Sequence, residues 1–140
     1  MVYVDTSALV PMYFHEAKTR AVLDWIEASA ERLAISDWSV TEFASATAMK
    51  VRSGQASPDL ARQAFARFVA FSESRLLVAA PGRAEFRRAA ALAGDASLEL
   101  RAGDALHLAI AEAAGASAFL VLDRALAAAA GAMGLKVVEP

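Results

Sequence analysis

The chain has 140 residues, 57% of them hydrophobic, with no cysteine and a formal net charge of −2. That length suits one domain over residues 1–140, burying roughly two-thirds of the surface its unfolded chain would expose. Disulfides and thiolate zinc sites are excluded, and the charge balance gives no global pull toward a polyanion, because a basic face is the usual footprint of nucleic-acid backbone binding. No run of about 18 apolar residues is present to span a bilayer. The start of the chain lacks the positive region of a signal peptide, so the expectation is a cytoplasmic protein with no membrane association.

Val2-Tyr3-Val4 is an uninterrupted β-branched and aromatic run, the pattern of a short strand covered on both faces. Thr6-Ser7 then offers caps for a helical turn through Met12. Residues 18–29 carry Val22, Leu23, Trp25 and Ile26 at helical spacing, and Leu33-Ala34-Ile35 reads as a second strand. The next helix runs from about Asp37 to Arg52 and stops at Ser53-Gly54. Ser57-Pro58 opens another, with proline in its first turn and Leu60, Ala64, Phe65, Phe68, Val69 and Phe71 as its apolar stripe. Leu76-Leu77-Val78 predicts a third strand, and Pro81 to Ala93 a helix stopped by Gly94. A polar stretch leads to Gly103-Asp104 and a helix from Ala105 to Ala114, ended by Gly115. Phe119 to Leu122 is strand four, closed by Asp123. Arg124 to Ala132 makes a last helix before Gly134, and Val137-Val138 a short fifth strand. Strands alternating with helices imply an α/β fold with right-handed crossovers and a mostly parallel sheet.

Four acids punctuate this pattern. Asp5 and Asp123 each follow a strand, at the sheet edge where open α/β folds bind ligands. Asp104 stands at a helix start. Glu42 lies more than a turn inside a helix, among Val40, Phe43, Ala44 and Ala46. Each has a plain structural explanation: Asp5, Asp104 and Asp123 as N-caps, and Glu42 as partner of Ser39 in a capping box. If the four converge instead, like charges within a few ångströms raise one another's pKa until a cation compensates. Such a cation needs oxygen ligands, or His15 and His107, and oxygen-rich sites suit Mg²⁺ or Mn²⁺.

The segments Val4-Asp5-Thr6-Ser7-Ala8-Leu9, Thr41-Glu42-Phe43-Ala44-Ser45-Ala46, Arg101-Ala102-Gly103-Asp104-Ala105-Leu106-His107-Leu108-Ala109 and Leu122-Asp123-Arg124 occur in the order and spacing of a known family. They resemble the motifs of PIN-domain ribonucleases, most closely toxins of the VapC type from VapBC toxin–antitoxin modules. The resemblance implies a three-layer α/β/α fold around a four- to five-stranded, mostly parallel sheet. It also implies an Mg²⁺- or Mn²⁺-dependent endoribonuclease whose acidic cluster is Asp5, Glu42, Asp104 and Asp123. Thr6 or Ser7 would lie beside the metal as a hydroxyl or supporting group. In-line attack of an activated water on phosphorus would leave 5′-phosphate and 3′-hydroxyl ends. Asp5 and Asp104 are expected as direct ligands, Glu42 as a ligand through water or a proton acceptor, and Asp123 as support for a second metal or an orienter of waters. The implied partners are an RNA substrate and an antitoxin whose C-terminal segment wraps a groove made by the early helices. Apolar stripes on several helices predict a homodimer.

Arg101 and His107 stand three residues either side of Asp104 and would share its helix face if the helix reached back that far. His107 is expected to be a packed histidine donating to a backbone carbonyl, and His15 and Glu16 to be loop or helix-edge residues. The aromatic residues Trp25, Trp38, Phe65, Phe68 and Phe71 follow helical stripes and are read as core or interface, and the arginines of residues 62–88 as solvated helix faces. Two other classes compete. A haloacid dehalogenase-like phosphatase would use Asp5 as nucleophile, but wants an Asp where Ser7 stands and a late lysine, here only Lys136. A non-catalytic PIN-like binding module would usually have lost one of the acids.

Overall fold

The computed structural model describes residues 1–140. Five short strands, β1 (Val2–Val4), β2 (Leu33–Ser36), β3 (Leu77–Ala79), β4 (Ala118–Leu120) and β5 (Lys136–Val138), form one sheet. Their order is β3-β2-β1-β4-β5, and every pairing is parallel. Seven α-helices connect them: α1 (Thr6–Leu9), α2 (Thr19–Ala28), α3 (Asp37–Arg52), α4 (Pro58–Arg75), α5 (Arg83–Gly94), α6 (Ala102–Ala113) and α7 (Arg124–Ala132). The chain runs outward from β1 through β2 to β3, then crosses back to β4 on the other side of β1. The topological switch point therefore falls between β1 and β4, where such sheets open a crevice at their carboxyl ends.

Strand alternation sorts the core into two faces. Val2, Val4, Ile35, Ala118 and Leu120 point to one side, where they meet Phe43 of α3 and Ala64 and Phe68 of α4. Tyr3, Ala34 and Phe119 point to the other, against Leu108 and Ile110 of α6 and Leu126 and Ala130 of α7. The architecture is the expected three-layer α/β/α sandwich. Phe43 stacks on Phe68 with centroids 4.2 Å apart, and Tyr3 on Phe119 at 5.5 Å across the β1–β4 register. Each of these fully buried rings contributes roughly 1.5–3 kcal/mol of transfer free energy.

Boundaries differ from the sequence reading in instructive places. The predicted turn through Met12 is α1 followed by a 3₁₀ turn at Val10–Met12 that accommodates Pro11. Gly94 does not stop α5; it is the last helical residue, and Asp95 takes over as cap of a 3₁₀ turn at Ala96–Leu98. The helix expected from Ala105 begins three residues earlier, at Ala102, with Arg101 at its N-cap. Gly115 and Gly134 do end α6 and α7, at φ +68° and +83°. No helix is long and apolar enough to cross a membrane.

Candidate metal centre

β1 ends at Val4, and the Asp5 amide donates to the Leu120 carbonyl of β4 at 2.9 Å, which fixes Asp5 at the switch point. Its side chain accepts from the Ser7 amide at 2.9 Å, capping α1, and is 4% exposed. Asp123 lies three residues beyond β4 and caps α7, accepting from the Leu126 amide at 2.9 Å. The Ser7 hydroxyl accepts from the Leu122 amide at 2.9 Å and so ties the loop of Asp5 to the loop of Asp123. Two of the proposed caps are therefore real caps, on turns that also present their carboxylates to one crevice.

Glu42 is no cap. The capping box of α3 is made by Ser36 and Ser39, which leaves Glu42 a full turn deeper with its side chain 27% exposed. Its Oε2 accepts from the Thr6 hydroxyl at 2.8 Å and from His107 Nε2 at 2.5 Å. Asp104 is likewise not an N-cap. The earlier start of α6 puts it in the first helical turn, where the positive end of the helix favours a carboxylate. Arg101, at the N-cap with its side chain in solvent, meets Asp104 through its backbone amide.

Ligand atoms of Asp5, Glu42 and His107 all lie within 4.8 Å of one another. Asp104 and Asp123, expected in the same cluster, stand outside that close group and reach it through their charges. Burial first, then the charges of Asp5, Asp123 and Glu42, raise Asp104 above the usual carboxylate range, against the lowering effect of the Arg101 backbone amide. Burial also works to raise Glu42, but the His107 hydrogen bond and charge and the Thr6 hydroxyl outweigh it, and Glu42 sits below its ordinary value. The Trp38 indole N–H faces the same carboxylate and adds to the lowering, although its nitrogen stands outside hydrogen-bond geometry with any acceptor. No lysine or arginine forms an ion pair with any of the four acids; the pairs made by Asp5 and Glu42 are both with His107.

His107 corrects the expectation of a backbone partner. It is fully buried, as expected, but its Nε2 meets Glu42 and its Nδ1 lies 3.0 Å from the Tyr3 hydroxyl. Burial disfavours the charged ring, yet the Glu42 hydrogen bond and the charges of Asp5, Glu42 and Asp104 prevail and raise it above its ordinary value. Tyr3 and Gly103 were not singled out in the sequence. The signal for Tyr3 is a hydroxyl in an otherwise aliphatic strand. The signal for Gly103 is a glycine in the first turn of a helix: a Cβ there would stand 2.8 Å from Glu42 Oε1 and 3.3 Å from the Trp38 ring. His15 is exposed in a loop, and Glu16 pairs with Lys50, both away from the cluster. The arginines at 62, 67, 75, 83, 87 and 88 are solvent-exposed, with Arg88 paired to Glu112.

The donor set is mostly carboxylate oxygen, at the carboxyl edge of the sheet beside the β1–β4 switch point, with more negative charge than the one imidazole can answer. A hard divalent cation fits it. A family model described as PIN domain matches residues 2–132. Among solved structures, the chain is similar to Mycobacterium tuberculosis VapC20, described as a sarcin-ricin loop cleaving toxin, with TM-score 0.77 and 16% identity over 100% of both chains. It is similar to PAE2754 of Pyrobaculum aerophilum, with TM-score 0.69 and 21% identity over 97% of this chain and 82% of that one. It is also similar to VapBC2 of Rickettsia felis, solved with a DNA fragment from their promoter, with TM-score 0.65 and 16% identity over 99% and 98%. No curated protein matches in sequence. At these identities the structural likeness is one of fold.

Proposed function

The chain belongs to the PIN domain family, and on that premise we propose that it is a metal-dependent endoribonuclease acting as the toxin of a toxin–antitoxin pair. The observation that carries this reading is the convergence of Asp5 and Glu42, joined electrostatically by Asp104 and Asp123, at the switch point of a parallel sheet. Mg²⁺ or Mn²⁺ in such a site neutralises charge building on a phosphodiester and makes a neighbouring water more acidic. The protein's residues divide the remaining work. Asp5 and Asp104 would hold the cation, Asp5 locked by its cap and Asp104 by its helix turn. Glu42, its Oε2 anchored by Thr6 and His107, would offer Oε1 to the cation or take a proton from water there. Asp123, exposed beyond β4, would orient water or support a second cation. Thr6 fixes Glu42, and Ser7 fixes the spacing of the two strand-end loops.

The toxin reading is supported by the likeness to VapC and VapBC structures. Its partner would be an antitoxin segment seated in the groove of about 500 Å³ between α3 and α4, lined by Ala44, Ala48, Val51, Pro58, Ala61 and Phe65. A homodimer is part of the same proposal. The phosphatase alternative loses ground because Ser7, where that mechanism wants an acid, is committed to the Leu122 amide. The test is cleavage of RNA beside p-nitrophenyl phosphate, each with Mg²⁺, Mn²⁺ or chelator. Metal-dependent cleavage of RNA alone supports the reading; activity on the phosphate ester alone, or RNA cleavage indifferent to chelation, sinks it.

A further inference from the structure

Beneath the acids lies a column of polar groups closed to water: Tyr3, Ser36, Ser39 and His107 are each 0% exposed. The Tyr3 hydroxyl donates to Ser36 Oγ at 2.8 Å, and Ser36 is held by reciprocal backbone bonds with Ser39 at the start of α3. The same hydroxyl meets His107 Nδ1 at 3.0 Å, with the two rings edge to face and centroids 5.7 Å apart. On the far side of the imidazole, Nε2 meets Glu42 Oε2, which also accepts from Thr6. A carboxylate oxygen only accepts, so Nε2 carries the proton. With its one proton given to Ser36, the Tyr3 oxygen accepts from a protonated Nδ1; toward a neutral Nδ1 it would turn that proton to the ring and accept from the Ser36 hydroxyl instead. The two oxygens of Glu42 are thereby made unequal. Oε2 takes two donors from within the fold, while Oε1 stands over Gly103, in space that any side chain at 103 would fill.

We propose that Tyr3 and His107 are positioning residues, a buried strut that anchors Glu42 Oε2 and leaves Oε1 as the one oxygen presented to the divalent cation. The proposal rests on the metal reading of the site and extends it to two residues that touch neither substrate nor cation. The physical reason is preorganisation. Glu42 projects from the second turn of a helix on three rotatable bonds, and an unanchored carboxylate would have to be ordered when the cation binds. Partners that orient a ligand in this way are worth about ten- to a hundredfold in metal affinity.

The full-length chain is titrated with Mn²⁺, free ion being read by electron paramagnetic resonance, as wild type and as Tyr3→Phe, His107→Leu and His107→Gln. Circular dichroism of each variant reports folding. The strut requires Mn²⁺ affinity to fall about ten- to a hundredfold in His107→Leu and Tyr3→Phe. His107→Gln, whose amide restores an N–H in the place of Nε2, should recover much of that loss; should the leucine variant unfold, the phenylalanine and glutamine variants decide. Wild-type affinity in Tyr3→Phe and in whichever of the other variants folds overturns the strut. A second arm needs no metal: the imidazole ¹H–¹⁵N spectrum of the metal-free protein should show a slowly exchanging Nε2–H on His107 that moves in Tyr3→Phe. A ring with unprotonated Nε2 overturns the strut. A wild type that keeps this resonance yet binds no Mn²⁺ overturns the metal reading and leaves the strut standing.

Discussion

The floor and the rim of the crevice are built on opposite terms. In the floor, Tyr3, Ser36, Ser39 and His107 lie out of reach of water and satisfy one another through hydrogen bonds. At the rim Asp104 is half-buried and Asp123 exposed, and burial first, then the charges of Asp5, Asp123 and Glu42, push Asp104 upward in pKa. The floor is complete in the protein alone, whereas the rim lacks a counter-charge. A fold that spends hydrogen bonds on one layer and leaves the next repelling itself has set a ligand site, because unrelieved repulsion is what a cation removes.

Substitution should separate the two layers, with the largest effect at the rim. Asp104→Asn or Asp5→Asn should lower metal-dependent RNA cleavage on the order of a thousandfold or more, because the cation supplies several kcal/mol to the transition state. For Asp104→Asn, thermal melting of the metal-free protein should rise at the same time, since a repelled charge has gone. Full activity in either variant would remove that residue from the mechanism. Saturating Mg²⁺ should stabilise the wild type by about 2.7 kcal/mol at a hundredfold excess over Kd. Calorimetry showing no such gain would mean that the rim is content without a cation.

Smaller effects probe the contact between the layers. Gly103→Ala places a methyl against Glu42 Oε1. With Oε2 anchored the carboxylate cannot swing freely, so cleavage should drop about tenfold, close to 1.4 kcal/mol, with little change in the melting temperature. The smallest effect is on pH dependence. Glu42 is lowered, so its contribution is present above its ordinary pKa of 4.5 and lost as pH falls through the folded value. His107 is raised, so its contribution is full below 6.5 and lost as pH rises through the folded value. Stability of the metal-free protein against urea should therefore peak between about 4.5 and 6.5 from this pair. His107→Gln should flatten the alkaline limb; an unchanged limb would show that His107 is not the group responsible.

The rim was far more legible in the sequence than the floor. Asp5 follows a strand of three residues with no polar interruption, and Asp123 follows another, so the strand ends announced themselves. Glu42 stood out as an acid among apolar neighbours, too deep in its helix for the capping box that Ser36 and Ser39 make. Asp104 was identified, but its placement at a helix start was three residues off, because Arg101 caps α6 without a side-chain bond and so leaves no capping signature. The floor was invisible for a different reason. Tyr3 and His107 are 104 positions apart and meet only because β1 and α6 pack on the same face of the sheet. Nothing in the periodicity of either segment encodes that meeting. Gly94 misled because a glycine near a helix end suggests a left-handed stop, whereas here Asp95 provides the cap and the glycine remains helical.

The central place of β1 governs when the acidic site can be assembled during synthesis. Its neighbour on one side is β4, so Asp5 gains the Leu120 carbonyl only after residue 120 has left the ribosome. Pairing over so long a loop is slow and cannot be anticipated by local contacts. A nascent chain up to that point carries three of its four acids without the strand that brings them together. Premature termination anywhere before β4 therefore yields a fragment in which Asp5 lacks its β4 neighbour and the acidic site is unassembled.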